Sequence, residues 1–295
     1  MQSGAFFYLH AMNQTLKIAI QGGPASFHDM AACEYFGEGK IEISPCRTFR
    51  QECADLLAGK VDYAVMAIEN SLAGCILPNF ALLEEMPITI VGETYLQIRQ
   101  HLMALPGQTL ADIESVRSHP MALHQCSEFL EAHPEMRSVE THDTAESARE
   151  IRDDELRGVA AIAGDLAAER YRLEILAKSI ENIKENYTRF LVLARAGTAR
   201  PEAANKASLS FHVPHEVGAL VNVLSIFSEH SVNLGLIQSV PIPGRPDEYA
   251  FHVDLEWQDR RDFDRVLAQA AKVTRELHVL GEYKAGDRPY DRATR

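Results

Sequence analysis

The sequence predicts an α/β chain whose first two thirds build a mostly parallel sheet, or two such sheets, followed by a smaller antiparallel βαββαβ module. Strand-like and helix-like segments alternate from Leu16 to Leu193. The run Val61-Asp62-Tyr63-Ala64-Val65-Met66-Ala67-Ile68 is nearly continuous in apolar residues, as a strand covered on both faces requires. Beyond Lys206 the apolar residues switch to strict alternation, the period of a strand with one buried face. A chain of 295 residues has room for two domains.

Residues 16–20 (LKIAI) read as the first strand. After the Gly22-Gly23-Pro24 turn, Ser26 with Asp29 has the capping-box spacing that opens a helix, and Phe27, Met30 and Ala31 share one face of it. Residues 41–44 give a second strand. Thr48 with Gln51 opens a second helix, in which Phe49, Cys53, Leu56 and Leu57 share a face until Gly59 stops it. Later strands fall near 88–98, 101–105, 115–118, 158–163 and 187–194, with helices near 120–131, 143–152 and 164–172. Gly, Pro and small polar residues from Arg195 to Lys206 read as a linker. Beyond it Leu209, Phe211 and Val213 alternate with Ser208, Ser210 and His212, and Phe251, Val253 and Leu255 alternate with His252, Asp254 and Glu256. That pattern predicts a sheet with one buried and one wet face. Helices over 220–227 and 263–271, with strands near 233–240 and 277–283, complete a ferredoxin-like βαββαβ unit with its helices on one side. The open face and edges of so small a unit predict pairing with a second copy, as a homodimer or homotetramer.

Composition narrows function. The 46% apolar and 24% charged content is that of a globular protein. Twenty-nine Lys and Arg against 42 Asp and Glu leave a net charge of −13, and no segment concentrates cations with aromatics, which argues against nucleic acid and anionic membranes as partners. No apolar run approaches bilayer length. The apolar residues 5–9 lack both a preceding cationic segment and a cleavage pattern, so residues 1–15 read as an N-terminal extension of a cytoplasmic protein. Cys33, Cys46, Cys53, Cys75 and Cys126 are odd in number and form no CxxC pair, which predicts neither a disulfide framework nor a zinc site. His119 and His124 are five apart, a poor spacing for chelation from one helix, and no metal or cofactor is expected. GxGxxG, P-loop, HExxH and GxSxG motifs are absent from the sequence.

Ligands of open parallel sheets bind beyond the strand carboxyl ends, where helix N-termini aim N–H groups at them. Four segments have that placement: Gly22 to Ser26, Glu69 to Gly74, Asp143 to Ala145, and Ala163 to Asp165. Each alone is also readable as an ordinary helix cap. The residues by themselves describe a two-domain α/β protein with an anion cleft.

Read together and in order, these segments resemble prephenate dehydratase carrying a C-terminal ACT regulatory domain. The resemblance rests on IAIQGGPASFHDMAA at 18–32, VDYAVMAIENSLAG at 61–74, SHPMALHQC at 118–126, DTAESA at 143–148, NYTRF at 186–190, VGALVNVLSIF at 217–227 and VPIPGRPDEYAFHVDLE at 240–256. It implies a catalytic domain over 16–197, built like bilobal periplasmic binding proteins. One lobe would comprise 16–97 plus a returning strand at 187–194, and the other 98–182. A linker at 198–206, an ACT domain at 207–285 and a C-terminal tail at 286–295 would follow. No helical chorismate mutase segment precedes Leu16, so a monofunctional enzyme is expected.

The resemblance implies a lyase that converts prephenate to phenylpyruvate in L-phenylalanine biosynthesis, without a cofactor. The Thr of the Thr-Arg-Phe word maps to Thr188, expected to donate a hydrogen bond to the departing hydroxyl. Ser26, Asn70, Ser71, Gly74, Thr144 and Gly164 are expected to hold substrate carboxylates and hydroxyls, with His119 and Gln125 at the cleft. Arg189 is open to two readings: a carboxylate partner for substrate, or a structural ion pair pointing away, since neighbours on a strand face opposite sides. Phe190 is expected in the core. L-Phenylalanine is the implied effector, at Gly218, Ala219 and Leu220 and at Asn233, Leu234, Gln238 and Ser239. Where the family commonly has Glu-Ser-Arg-Pro, this chain has Gln238-Ser239-Val240-Pro241, which removes a charged pair. Arogenate dehydratase and a non-catalytic amino-acid sensor are the competing readings.

Overall fold

The computed structural model describes residues 15–242, 244–245 and 248–288; nearly all of the expected N-terminal extension, and residues 289–295 of the expected tail, lie outside them. In chain order the first part comprises β1 (Leu16–Gln21), α1 (Phe27–Phe36), β2 (Ile41–Cys46), α2 (Phe49–Leu57), β3 (Tyr63–Asn70), β4 (Gly74–Cys75), α3 (Leu77–Glu85) and β5 (Ile88–Gln97). The second comprises β6 (His101–Ala104), β7 (Ser115–Ser118), α4 (Pro120–Gln125), α5 (Ser127–Glu131), β8 (Arg137–Glu140), α6 (Thr144–Asp153), β9 (Val159–Ala163), α7 (Asp165–Tyr171) and β10 (Glu174–Ala177). The chain then returns as β11 (Tyr187–Arg195) and continues into β12 (Lys206–His212), α8 (Ala219–Glu229), β13 (Asn233–Pro241), β14 (Tyr249–Glu256), α9 (Arg260–Val273) and β15 (Arg275–Tyr283).

Three sheets result, ordered β2-β1-β3-β11-β5 with β4 on β3, β10-β6-β9-β7-β8, and β13-β14-β12-β15. The first two form the lobes, each with an α/β layering. They are mixed rather than mostly parallel: β11 runs antiparallel to β3 and β5, and β6 antiparallel to β9 and β10. In β3 the even and odd residues go to different cores, as its apolar run requires. Val65 and Ala67 pack under α1 with Ile18, Ile20, Phe190 and Val192, while Met66 and Ile68 pack on the other face with Leu56, Leu191 and Leu193. Helix α3 goes unread in the sequence because it is short and has no side-chain cap. The helix expected over 120–131 breaks at Cys126 into α4 and α5.

The third sheet corrects the expectation of a wet face. One face carries Leu209, Phe211, Val253 and Leu255 against Val223 and Phe227 of α8 and Phe263 and Val266 of α9. The other face docks on the first lobe, where Val240, Leu280 and Tyr283 join Ile88, Ile90 and Leu193 in one core. Every residue of β12 is therefore buried, including Lys206, whose strand position shortens the expected linker. The polar residues of the alternating pattern face protein rather than water. Lys206 Nζ lies 3.0 Å from Glu93, Ser208 Oγ donates to Asp254 at 2.5 Å, and Ser210 donates to Glu84 of α3. The approach is close enough to need a glycine: a Cβ on Gly281 would lie 2.1 Å from Ile90 O. The start of the tail docks as well, with Gly286 N–H donating to Glu93 Oε1 at 2.9 Å and Arg288 pairing with Glu256.

Glu52 on α2 is fully buried, and that burial pushes its carboxyl well above the usual range, with only partial relief from the Gln21 backbone. The folded state thus keeps a proton that the unfolded chain releases as pH rises, so this group's contribution to stability is full in acid and fades upward from the ordinary carboxylate range. Glu52→Gln, which keeps the shape of the neutral acid, should raise Tm more at pH 8 than at pH 5. Equal shifts at both pH values in thermal scans would contradict a protonated Glu52.

Candidate active site

Two crossovers join the lobes, at residues 98–100 and 178–186, and they are bonded side by side. Ile98 N–H donates to Asn186 O at 2.7 Å, Ile180 N–H to Gln100 O at 2.8 Å, and Gln100 N–H to buried Glu181 Oε2 at 2.8 Å. From this hinge β11 enters the first lobe and sets Thr188 opposite Asn70 of β3. Opposed side chains in an antiparallel pair are direct neighbours. Here Asn70 Nδ2 donates to Thr188 Oγ1 at 2.9 Å and to Asn186 Oδ1 at 2.7 Å.

The polarity of this cluster follows from the backbone. Asn70 Oδ1 accepts the N–H groups of Leu72 and Ala73, both at 2.9 Å, and a backbone N–H can only donate. The Asn70 oxygen is therefore fixed on that side and its NH2 on the other. Both Nδ2 hydrogens are used, so Thr188 Oγ1 must accept. Its own hydrogen then has no protein acceptor among the described residues and is free to donate elsewhere. Thr188 is 8% exposed, enough for contact with a ligand but not for bulk hydration.

Asn70 was expected to touch substrate, but its amide is wholly committed to Thr188, Asn186 and the 72–73 backbone, which makes it a positioning residue. Ser71 likewise donates to Glu185 O at 3.1 Å and accepts Tyr187 N–H at 2.9 Å, tying the turn after β3 to the hinge rather than offering a hydroxyl. Gly74, at φ +80°, closes that turn on the surface. Gln125, at the end of α4 in the second lobe, reaches the cluster through Asn186 Nδ2, which donates to its Oε1 at 3.1 Å.

A second junction brings other expected residues together. Ser26 caps α1 by accepting Asp29 N–H at 3.4 Å; Asp29 also accepts Ala25 N–H at 2.7 Å and Arg170 Nη1 of α7 at 3.2 Å. Tyr171 donates across the lobes to Pro24 O at 2.8 Å. Gly22 takes a backbone conformation that favours glycine (φ +90°), and a Cβ there would lie 2.8 Å from Asp143 Oδ2 of the other lobe. Asp143 caps α6 through Glu146 N–H at 2.9 Å, beside half-buried Thr144. Burial pushes its carboxyl up, and the Glu146 and Ala145 N–H groups and nearby His119 partly offset this. His119 is exposed and caps α4, its Nδ1 accepting Met121 N–H at 3.1 Å. Gly164 lies under Phe27 and Met30, each 3.1 Å from where its Cβ would be, which makes it a lobe contact rather than a bare anion cradle.

Arg189 is a correction. One residue from Thr188, it faces the opposite side and is 3% exposed, held by Glu93 at 2.7 Å, Glu69 at 3.3 Å, Tyr283 OH at 3.0 Å and an ion pair with Asp254. Strand alternation sends it toward the third sheet and away from Thr188, which is the second of its two readings, a structural ion pair, rather than a carboxylate partner for substrate. Phe190 is core, as expected, 1% exposed under α1. The residues expected at an effector site occupy neighbouring elements: Gly218 (φ +84°) precedes α8, Ala219 and Leu220 open it, and Asn233, Leu234, Gln238 and Ser239 lie on β13, the outer strand. Sequence reasoning missed Asn186, Asp143 as a side chain, and Arg170. Asn186 was findable, since it lies two residues before Thr188 at strand period.

Fold and site define a class: an α/β enzyme of two lobes joined by paired crossovers, with a buried hydroxyl donor where the crossovers enter the first lobe and a ferredoxin-like module docked behind it. The chain belongs to the prephenate dehydratase family, whose model matches residues 18–198. It is 33% identical over 279 residues to the prephenate dehydratase of Bacillus subtilis, covering 90% of this chain and 95% of that one. It is 34% identical over 285 residues to a chloroplastic arogenate dehydratase/prephenate dehydratase of Arabidopsis thaliana, covering 91% and 72%. Among solved structures, prephenate dehydratase from Arthrobacter aurescens in complex with L-Phe matches with a TM-score of 0.82 at 27% identity, covering 91% of this chain and 90% of that one.

Proposed function

We propose that the cleft catalyses the decarboxylating dehydration of prephenate to phenylpyruvate, as a carbon–oxygen lyase. The C–C bond to the ring carboxylate breaks and its electron pair enters the ring. The C4–O bond breaks with its pair on oxygen, and one proton completes CO2, water and an aromatic product. Aromatisation drives the step, so the protein's work is to orient the ring and to stabilise charge on the leaving oxygen. The observation that carries the reading is the hydroxyl of Thr188, which accepts from Asn70 and so keeps its own hydrogen to donate. Such a donor strengthens as the oxygen becomes hydroxide-like. A non-catalytic sensor has no need of it.

The α6 start at Thr144, the Ser26 cap and the free amide end of Gln125 are the donors we assign to the substrate's carboxylates and carbonyl. Offering prephenate and arogenate together in equal amounts tests substrate choice. Phenylpyruvate should accumulate first; phenylalanine as the dominant product would overturn the choice of prephenate.

The third sheet and its helices fit an ACT regulatory domain, with L-phenylalanine as the effector at the start of α8 and along β13. A second copy fits the same module: β13 is an open edge carrying half-exposed Ile237, and Val217 and Val221 are exposed around the start of α8. Added L-phenylalanine should lower prephenate turnover in a saturable way; unchanged turnover at millimolar L-phenylalanine would contradict the regulatory assignment.

A further inference from the structure

Asn186 is fully buried, bears no charge, and is, among the described residues, the one side chain that bonds the Asn70–Thr188 pair of the first lobe to an element of the second. Its Oδ1 faces Asn70 Nδ2, whose identity as a donor is fixed by the Leu72 and Ala73 N–H groups. The atom opposite must therefore be oxygen, which places Asn186 Nδ2 toward Gln125 and requires Oε1 there, at 3.1 Å. Gln125 Nε2 is then left without a protein acceptor among the described residues. One chain of amides thus runs from two backbone N–H groups to both sides of the cleft and leaves a donor at each end: the Thr188 hydroxyl on β11 and the Gln125 NH2 on α4.

We infer that Asn186 is a positioning residue which steadies the Asn70 amide against Thr188 and carries its polarity on to Gln125, so that both donors face substrate only when the lobes are in register. The inference rests on the prephenate reading of the cleft for its kinetic consequences, but the relay itself is a property of the protein. Without an acceptor at position 186, one Asn70 Nδ2 hydrogen is left without a partner, and the amide, still held at its oxygen by Leu72 and Ala73, loses the contact that aims its other hydrogen at Thr188. Without a donor at 186, Gln125 is free to flip and to present its oxygen, an acceptor, toward an anionic ligand.

These two losses separate by variant. Asn186→Leu removes both functions and should lower kcat about 10²-fold, the scale of a misplaced catalytic contact. Asn186→Asp keeps the acceptor for Asn70 but draws the Gln125 NH2 toward itself; it should hold kcat within a few-fold while raising KM about tenfold, the scale of one lost hydrogen bond. Gln125→Glu should reproduce the KM effect, and combining it with Asn186→Asp should add little. A merely structural role would lower Tm and the active fraction in all three with no division between kcat and KM.

The relay also has a readout without substrate. The Asn70 side-chain NH2 resonances, assigned by their loss in Asn70→Asp, should exchange slowly with solvent in the wild type and in Asn186→Asp, and quickly in Asn186→Leu. Slow exchange in Asn186→Leu, or wild-type kcat in that variant, overturns the relay. A wild type that fails to turn over prephenate yet shows this exchange pattern retains the relay and refutes the substrate.

Discussion

Thr188→Val should lower kcat for prephenate about 10²- to 10³-fold with little change in KM. Valine is nearly isosteric, so packing against β3 and β5 is preserved. What disappears is one donor, and with it the acceptor for one Asn70 hydrogen. Because the donor strengthens as charge develops on the departing oxygen, its removal is felt in the transition state rather than in the ground-state complex. Thr188→Ser keeps the hydroxyl on a freer side chain and should retain most of the rate. A Thr188→Val protein with near wild-type kcat would remove this residue from the chemistry.

The second large effect lies one residue away. Arg189→Met should cost about 3–5 kcal/mol of stability, because it leaves Glu93 and Asp254 as buried carboxylates sharing a single remaining cation, Lys206. Burial would push Asp254 up, yet Arg189 and Lys206 hold its carboxyl below the usual range, which marks it as ionised in the folded protein. Removing the whole pair is a different matter. In Arg189→Met with Asp254→Leu, the Lys206–Glu93 pair remains balanced, and much of the lost stability should return. Denaturant melts of the single and double variants check this; a single variant as stable as the wild type would show the network to be idle. Since this cluster holds the reverse side of the strand that carries Thr188, the third sheet and the cleft share one rigid element.

How much of this was legible in the sequence depends on whether a local period or a distant partner decides a residue's role. The strands of the first lobe, the α1, α2 and α6 caps at Ser26, Thr48 and Asp143, and the βαββαβ grammar all follow from spacing alone. The polar face of β12 was misread because Ser208, Ser210 and His212 look hydrated in sequence, whereas the docked lobe supplies Glu84 to Ser210 and His212, and Ser208 is met within the sheet by Asp254 and Tyr283. Arg189 itself was ambiguous between two faces, and alternation decides it once Thr188 is fixed. The commitment of Asn70 to two backbone N–H groups was not legible, since it depends on the turn at 71–74. The lobe contacts at Gly22 and Gly164 read as anion cradles because a glycine before a helix looks the same whether its neighbour is a ligand or another lobe.

The most direct measurement is turnover itself: purified protein with prephenate at neutral pH, phenylpyruvate followed by its absorbance in alkali, and CO2 counted against a no-enzyme control. The expected result is phenylpyruvate and CO2 released one for one, at a rate proportional to enzyme and lost in Thr188→Val. Prephenate left at the rate of the control would contradict the assignment of this cleft.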